Sequence, residues 1–357
     1  MSGPAFDSGR LDAAFANVAR QVDAGEVPAA VLGVARREGT PRIEAFQRSG
    51  GDPARADSIF LLASITKPIV ATAVLQLVEA GSLSLRTPIR AYIPEFRAVP
   101  PGPGLPGPDL VTAQHLLSHT SGIVDPPEPP ATEVVTRAQA LEYALTAPLR
   151  FLPGTRYEYA SVTFSLLGEL IRRLSGLDYP EYLAERIFRP LGMVDTAFTP
   201  RDLGRVTWPR FGDPVLSDRQ VLVRRFDSAA QPGGGLWSTA ADVLAFGRAM
   251  LGGGALDGVR ILGARWVELM TREQTAGVRE GGAVPRDPTY GLGWSLPGLD
   301  NALPVSRRAF GHGGATGTRL LVEPAADLVL VYLTNVWGAD ERHALEAFGG
   351  LLGALDA

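Results

Sequence analysis

Apolar positions recur at spacings of three and four over residues 9–24. Leu11, Phe15, Val18 and Val22 share one face there, which predicts an amphipathic helix closed by Gly25. Three short strand-like runs follow at 29–36, 43–48 and 58–62. The third leads straight into a strong helical stretch of about 64–80, closed by Gly81. Pro68 falls in the first turn of that helix, where a missing N–H costs little. Helical patterns return at 137–147, 161–175, 179–188, 239–251 and 262–270. The proline-rich segments 100–108 and 126–130 cannot hold regular structure. Strand character reappears at 290–296 and 308–311. The runs 318–322 and 328–333 flank a 323–327 turn and read as a hairpin, and 339–355 reads as a closing helix.

Strands at both ends with helices between them predict an α+β fold. One antiparallel sheet is built from the N- and C-terminal segments and covered by the terminal helices, with a large, mostly helical insertion. The expected division is 1–80 plus 285–357 for the sheet domain and 81–284 for the helical domain. The active site is expected at their interface, a common place for a pocket.

Composition narrows the chemistry. A chain of 357 residues with 45% hydrophobic and 20% charged residues is that of a soluble globular protein. A net charge of −4 without a basic tract argues against a nucleic-acid partner. The absence of cysteine excludes disulfides, thiolate catalysis and cysteine-ligated metals. His115 and His119 stand at i, i+4, but the second lies in the loop-like 118–122, so neither a metal nor any other cofactor is expected. No apolar run is long enough to span a bilayer, and residues 1–8 lack the features of a signal peptide. The expectation is a cytoplasmic protein with no membrane partner, acting on a small ester or amide, its oligomeric state open.

The 34 basic residues are 33 arginines and Lys67. A G- and C-rich genome would make lysine rare without explaining where the last one stands. Arginine cannot be deprotonated in a protein, whereas a buried lysine can become a base. Lys67 follows Ser64 by three residues, which puts both on one helical face and lets the amine take the hydroxyl proton. With 17 serines in 357 residues, chance alone gives this spacing about one time in twenty. Ser64 also lies at the start of its helix, next to unpaired backbone donors. Tyr159, just before the helix at 161–175, is a candidate second proton-transfer group, and a nearby cationic lysine should shift its phenol toward phenolate. The glycine-rich run 311–317 follows a strand and lets backbone approach a ligand closely, so the N–H groups of Ala315 and Ser64 are candidate oxyanion donors.

Ser64-x-x-Lys67, Tyr159-x-Ser161 and His312-Gly313-Gly314 stand in the order of the three motifs of the serine β-lactamase and penicillin-binding-protein superfamily. His115-Leu116-Leu117-Ser118-His119-Thr120-Ser121-Gly122, the 233–242 stretch and Tyr290-Gly291-Leu292-Gly293-Trp294 are similar to the class C branch. That branch includes class C β-lactamases, D,D-peptidases, D-aminopeptidases and family VIII carboxylesterases, and the resemblance covers about residues 10–350. It implies a β-lactamase-like fold, catalysis by Ser64, Lys67 and Tyr159, and substrate contacts from Ser161, His312, Gly313 and Gly314.

Two positions depart from the β-lactamase pattern. Ser161 replaces an asparagine that usually holds both the lysine and the substrate amide, and a serine is too short to be sure of both. His312 replaces a lysine that attracts a substrate carboxylate, and a histidine near its ordinary pKa of ~6.5 is mostly neutral at pH 7. Both changes resemble the esterase branch. The expected activity is therefore a carboxylesterase, with amide or lactam hydrolysis, acyl transfer and a slow acylated binder as alternatives. Trp237 and Trp294 are candidates for an apolar substrate wall, though packing explains either one. Arg319 is a candidate substitute cation, though a strand-surface role is the favoured reading.

Overall fold

The computed structural model describes residues 4–127, 135–214, 216–225, 230–280, 289–297 and 302–355. Its centre is a five-stranded antiparallel sheet in the order Arg42–Gln47, Ala29–Ala35, Leu328–Thr334, Arg319–Glu323, Phe310–Gly313. Strands from the two ends of the chain meet in the middle, with Gly33 opposite Val331 and Ile43. All seven residues of Leu328–Thr334 are buried, because both faces of the sheet are covered.

One face carries the terminal helices Ser8–Asp23 and Arg342–Gly353. Phe15, Val18, Phe348 and Leu351 pack there against Leu32, Leu330 and Tyr332. The other face carries the helix Ala240–Leu251, which comes from the middle of the sequence. That helix lies very close to the sheet: a Cβ at Gly247 would stand 2.4 Å from a Val329 methyl, so only glycine fits. The largest core lies between this helix, the helix Thr66–Glu79 and the helix Thr163–Ser175.

Several expected elements take a different form. The run 58–62 is not a strand of the main sheet. Its residues Phe60–Leu61 pair with Trp237–Ser238, and that small pairing ties the segment before Ser64 to the middle of the chain. The run 290–296 forms a tight turn, bridged from Tyr290 to Ser295 and from Ser295 to Gly311. Gly293 at φ +80° makes that turn possible, and a Cβ there would meet Ala71 at 2.4 Å, so the turn is pressed onto the helix that carries Lys67. The helix Ala113–Leu117 has no counterpart in the apolar spacing. It is five residues long and held by a capping box between Thr112 and His115. Among the described residues no helix is long and apolar enough to cross a membrane.

Candidate active site

Ser64 stands in a single 3-10 turn, Ala63–Ile65, between the Phe60–Leu61 strand and the helix Thr66–Glu79. Ala63 has φ +47°, a left-handed conformation that costs a β-carbon residue of order 1 kcal/mol. Tertiary bonds over-determine it. Leu62 donates its N–H to Leu236 at 2.8 Å, its carbonyl accepts the Thr318 hydroxyl at 2.9 Å, and the Thr66 hydroxyl accepts from Leu236 N at 3.1 Å. The strained turn directs Ser64 toward Lys67.

Lys67 is fully buried. Its Nζ lies 3.1 Å from Ser64 Oγ, 3.0 Å from Ser161 Oγ and 2.6 Å from the Gly233 carbonyl oxygen. The shorter serine of the second motif thus does reach the lysine. The ring faces of Tyr159 and Phe164 lie 4.6 Å and 5.5 Å from the amine. Burial disfavours the ammonium and pushes its pKa down to about 7, with the charge of Asp125 opposing the shift. A neutral amine has two N–H bonds and one lone pair. Gly233 can only accept, so it takes one N–H. With the second on Ser161, the lone pair faces the Ser64 hydroxyl.

Tyr159 is hydrogen-bonded to Ser64, but its electrostatics differ from the sequence expectation. Burial of the phenol raises its pKa, and the Ser64 hydrogen bond does not reverse this, so the hydroxyl stays protonated. The expected shift toward phenolate requires a charged lysine beside it, whereas Lys67 is itself driven toward neutrality. Although 38% of Tyr159 is exposed, its polar end faces inward to Ser64.

Two residues that hold this arrangement were not given roles from the sequence. His119 (φ +57°) is fully buried with its ring 4.3 Å from that of Tyr159. Its Nδ1 accepts the Ala160 N–H at 3.2 Å, so a neutral ring carries its proton on Nε2. Burial, Lys67 and His312 together hold its pKa well below the ordinary value. His115 instead points its Nδ1 at the Thr112 N–H, and the two histidines do not converge. Asp125 accepts the N–H groups of Ser161 and Val162 at 2.9 and 2.7 Å, immediately before the helix Thr163–Ser175. Its signal was an acid beside a proline run, too common to single out. Asp125→Ala should cost about 1 kcal/mol by leaving both donors to water, a lower midpoint in urea unfolding that Asp125→Asn partly restores.

The third motif forms the edge strand Phe310–Gly313 and the turn after it. A Cβ at Gly314 would stand 2.3 Å from the Leu62 carbonyl oxygen, and the Thr316 hydroxyl donates to Leu61 O at 2.7 Å. The turn is therefore stapled to the segment preceding Ser64, which brings Ala315 beside it. His312 is buried rather than presented to solvent. Its Nδ1 donates to Gly313 O at 2.7 Å, so its Nε2 accepts the Tyr290 hydroxyl at 2.8 Å. Burial and the Lys67 charge push its pKa down to about 3, which makes it neutral at any working pH. Arg319 is paired with Glu341 at 2.5 Å.

A family model described as Beta-lactamase matches residues 15–354. The chain belongs to the Beta-lactamase family. It is 32% identical to protein Rv1367c of Mycobacterium tuberculosis, over 90% of this chain and 89% of that one. It is 31% identical to esterase EstB of Burkholderia gladioli, over 81% of this chain and 80% of EstB. The solved structure of a family VIII carboxylesterase superposes with a TM-score of 0.80 at 22% identity, covering 99% of this chain and 100% of that one, a likeness of fold.

For a member of the Beta-lactamase family, the two aromatic candidates sit inward. Trp237 is 3% exposed and lies in a small cluster with Ile59, Val206 and Trp208, so the structure puts it in packing and not on an open wall. Trp294 is fully buried, stacked on Phe246 and edge-on to Phe310.

Proposed function

We propose that this protein is a carboxylesterase working through an acyl-enzyme on Ser64. The observation that carries the proposal is the desolvated Lys67 amine at 3.1 Å from Ser64 Oγ, with the Gly233 carbonyl and Ser161 on its other sides. Lys67 takes the Ser64 proton as Oγ attacks the ester carbonyl. The backbone N–H groups of Ser64 and Ala315 hold the developing oxyanion, a donor pair in which each member is worth ~10²–10³ in rate. The protonated Tyr159 phenol gives its proton to the departing alcohol and is restored from Lys67. Water then follows the reverse path to release the acid. Ser161, Gly313 and Gly314 border the substrate, and His312 supports the third motif through Tyr290.

Ester preference over lactam rests on charge. A β-lactam carries a carboxylate, and here His312 is neutral while Arg319 is committed to Glu341. The name of the EstB relative agrees with this reading. The test is hydrolysis of p-nitrophenyl butyrate and nitrocefin, with mass spectrometry for a butyryl group on the Ser64 peptide. Butyrate turnover with an acylated Ser64 and little nitrocefin turnover supports the esterase. Fast nitrocefin turnover overturns it in favour of a β-lactamase.

The pH profile should report the lysine. The base is active only when neutral, so kcat/KM should rise with pH through about 7, tenfold per unit below that limb. The Asp125 charge favours the ammonium, so Asp125→Asn should move the limb to lower pH. A limb that stays put would remove Asp125 from the electrostatics of the site.

A further inference from the structure

Among the described residues, few large apolar side chains are open to solvent near the third motif, and Trp337 is one, at 45% exposure. Its ring lies 5.1 Å from that of Phe211, tilted by 33°. The two come from distant segments joined by backbone. Arg210 N–H donates to Asn335 O at 2.6 Å, and Trp337 N–H donates to Arg210 O at 2.8 Å. A polar hub locks the junction. Asn335 donates to Asp52 and to Trp208 O, both at 2.7 Å, and Arg210 grips Asp52 at 2.5 and 2.9 Å. Phe211 is fixed in turn by Ser217, whose hydroxyl takes its N–H and donates to its carbonyl, each at 3.0 Å. The next residue along the other segment, Gly338, donates its N–H to the Ala315 carbonyl at 2.7 Å. The pair, with Trp337 exposed and Phe211 half-buried, is thus tied through one hydrogen bond to the residue assigned to the oxyanion.

We propose that Phe211 and Trp337 form an aromatic shelf, joined through Gly338 to the glycine turn that carries Ala315, that selects substrates carrying a planar aryl group. The inference rests on the esterase reading and adds the substrate class. The buried Asn335 and its partner Asp52, gripped in turn by Arg210, fix the junction, so the Trp337 ring is held in place on the half-buried Phe211 while it stays open to solvent. Offset stacking of an aryl group on such a shelf corresponds to ~3–10-fold in affinity. The aryl group can sit on either half of an ester, and the choice of probes separates the two.

The experiment compares benzyl acetate with hexyl acetate, and methyl phenylacetate with methyl hexanoate. Steady-state kinetics are taken for the wild type, Trp337→Ala and Trp337→Phe, with Ser64→Ala as the blank. The expected result is an aryl-over-alkyl ratio of kcat/KM that falls ~3–10-fold in Trp337→Ala, carried by KM, and largely recovers in Trp337→Phe. A fall in the benzyl pair places the shelf on the alcohol side, and a fall in the phenylacetate pair places it on the acyl side. An unchanged ratio in both pairs overturns the shelf. Calorimetric binding of the same esters to Ser64→Ala, with and without Trp337→Ala, reads the shelf without turnover. If no ester is cleaved above the blank, the esterase reading fails, and the shelf stands or falls on whether the aryl preference in binding depends on Trp337.

Discussion

Lys67→Arg is expected to lower kcat for p-nitrophenyl butyrate by ~10²–10⁴, approaching the loss in Ser64→Ala. The substitution keeps a positive charge and so separates charge from basicity. Lys67 is completely buried, and burial brings its pKa to about 7, so a large fraction is neutral at working pH. A guanidinium stays protonated there and offers no lone pair to the Ser64 hydroxyl. It is also larger and planar, and three partners at 2.6–3.1 Å leave it no room to keep the same contacts. Intact folding by circular dichroism, with KM measured beside kcat, separates lost chemistry from lost structure. Near-wild-type turnover in Lys67→Arg would show that the lysine contributes charge alone and that the proton goes elsewhere.

Gly314→Ala should lower kcat by ~10²–10³, the worth of one oxyanion donor. Gly314 is not needed for its backbone angles but for its lack of a side chain. An added methyl would lie 2.2 Å from Thr318 Oγ1 and 2.3 Å from Leu62 O, inside any real contact distance. Leu62 cannot give way, because its N–H is held by Leu236 and its carbonyl by Thr318. The turn has to lift, and Ala315 is the next residue. A shift of about 1 Å removes most of a hydrogen bond aimed at the oxyanion. Pre-steady-state bursts should show slowed acylation with little change in binding. Unchanged acylation would mean that the oxyanion is held by groups other than Ala315 N–H.

The amphipathic spacing at 8–23, the buried runs at 29–35 and 328–334, and the helices near 137, 163 and 240 were legible because each reports a local period of burial. The site was legible at Ser64 and Lys67 because a lone lysine three places from a serine already has helical geometry. The motif order added Tyr159, Ser161 and the glycine turn. The 290–296 turn was misread as a strand, since its apolar residues match a strand while its glycines allow the tight turn seen at Gly293. Asp125 and the Phe211–Trp337 pair escaped because their partners are far away in the chain and no local pattern marks them, while His119 stood in a recognised motif but its role against Tyr159 and Ala160 depends on residues some forty positions away.

Sequence by itself determined the fold class, the family motifs and the identity of the serine–lysine pair, all properties of residue type and spacing. Only the tertiary structure decided the protonation states. Whether Lys67 sits near neutrality, Tyr159 stays protonated and His312 loses its charge depends on how much water each group has lost and on which oxygen faces it. Those are sums over neighbours brought together from the whole chain, and they exist only once the chain has folded.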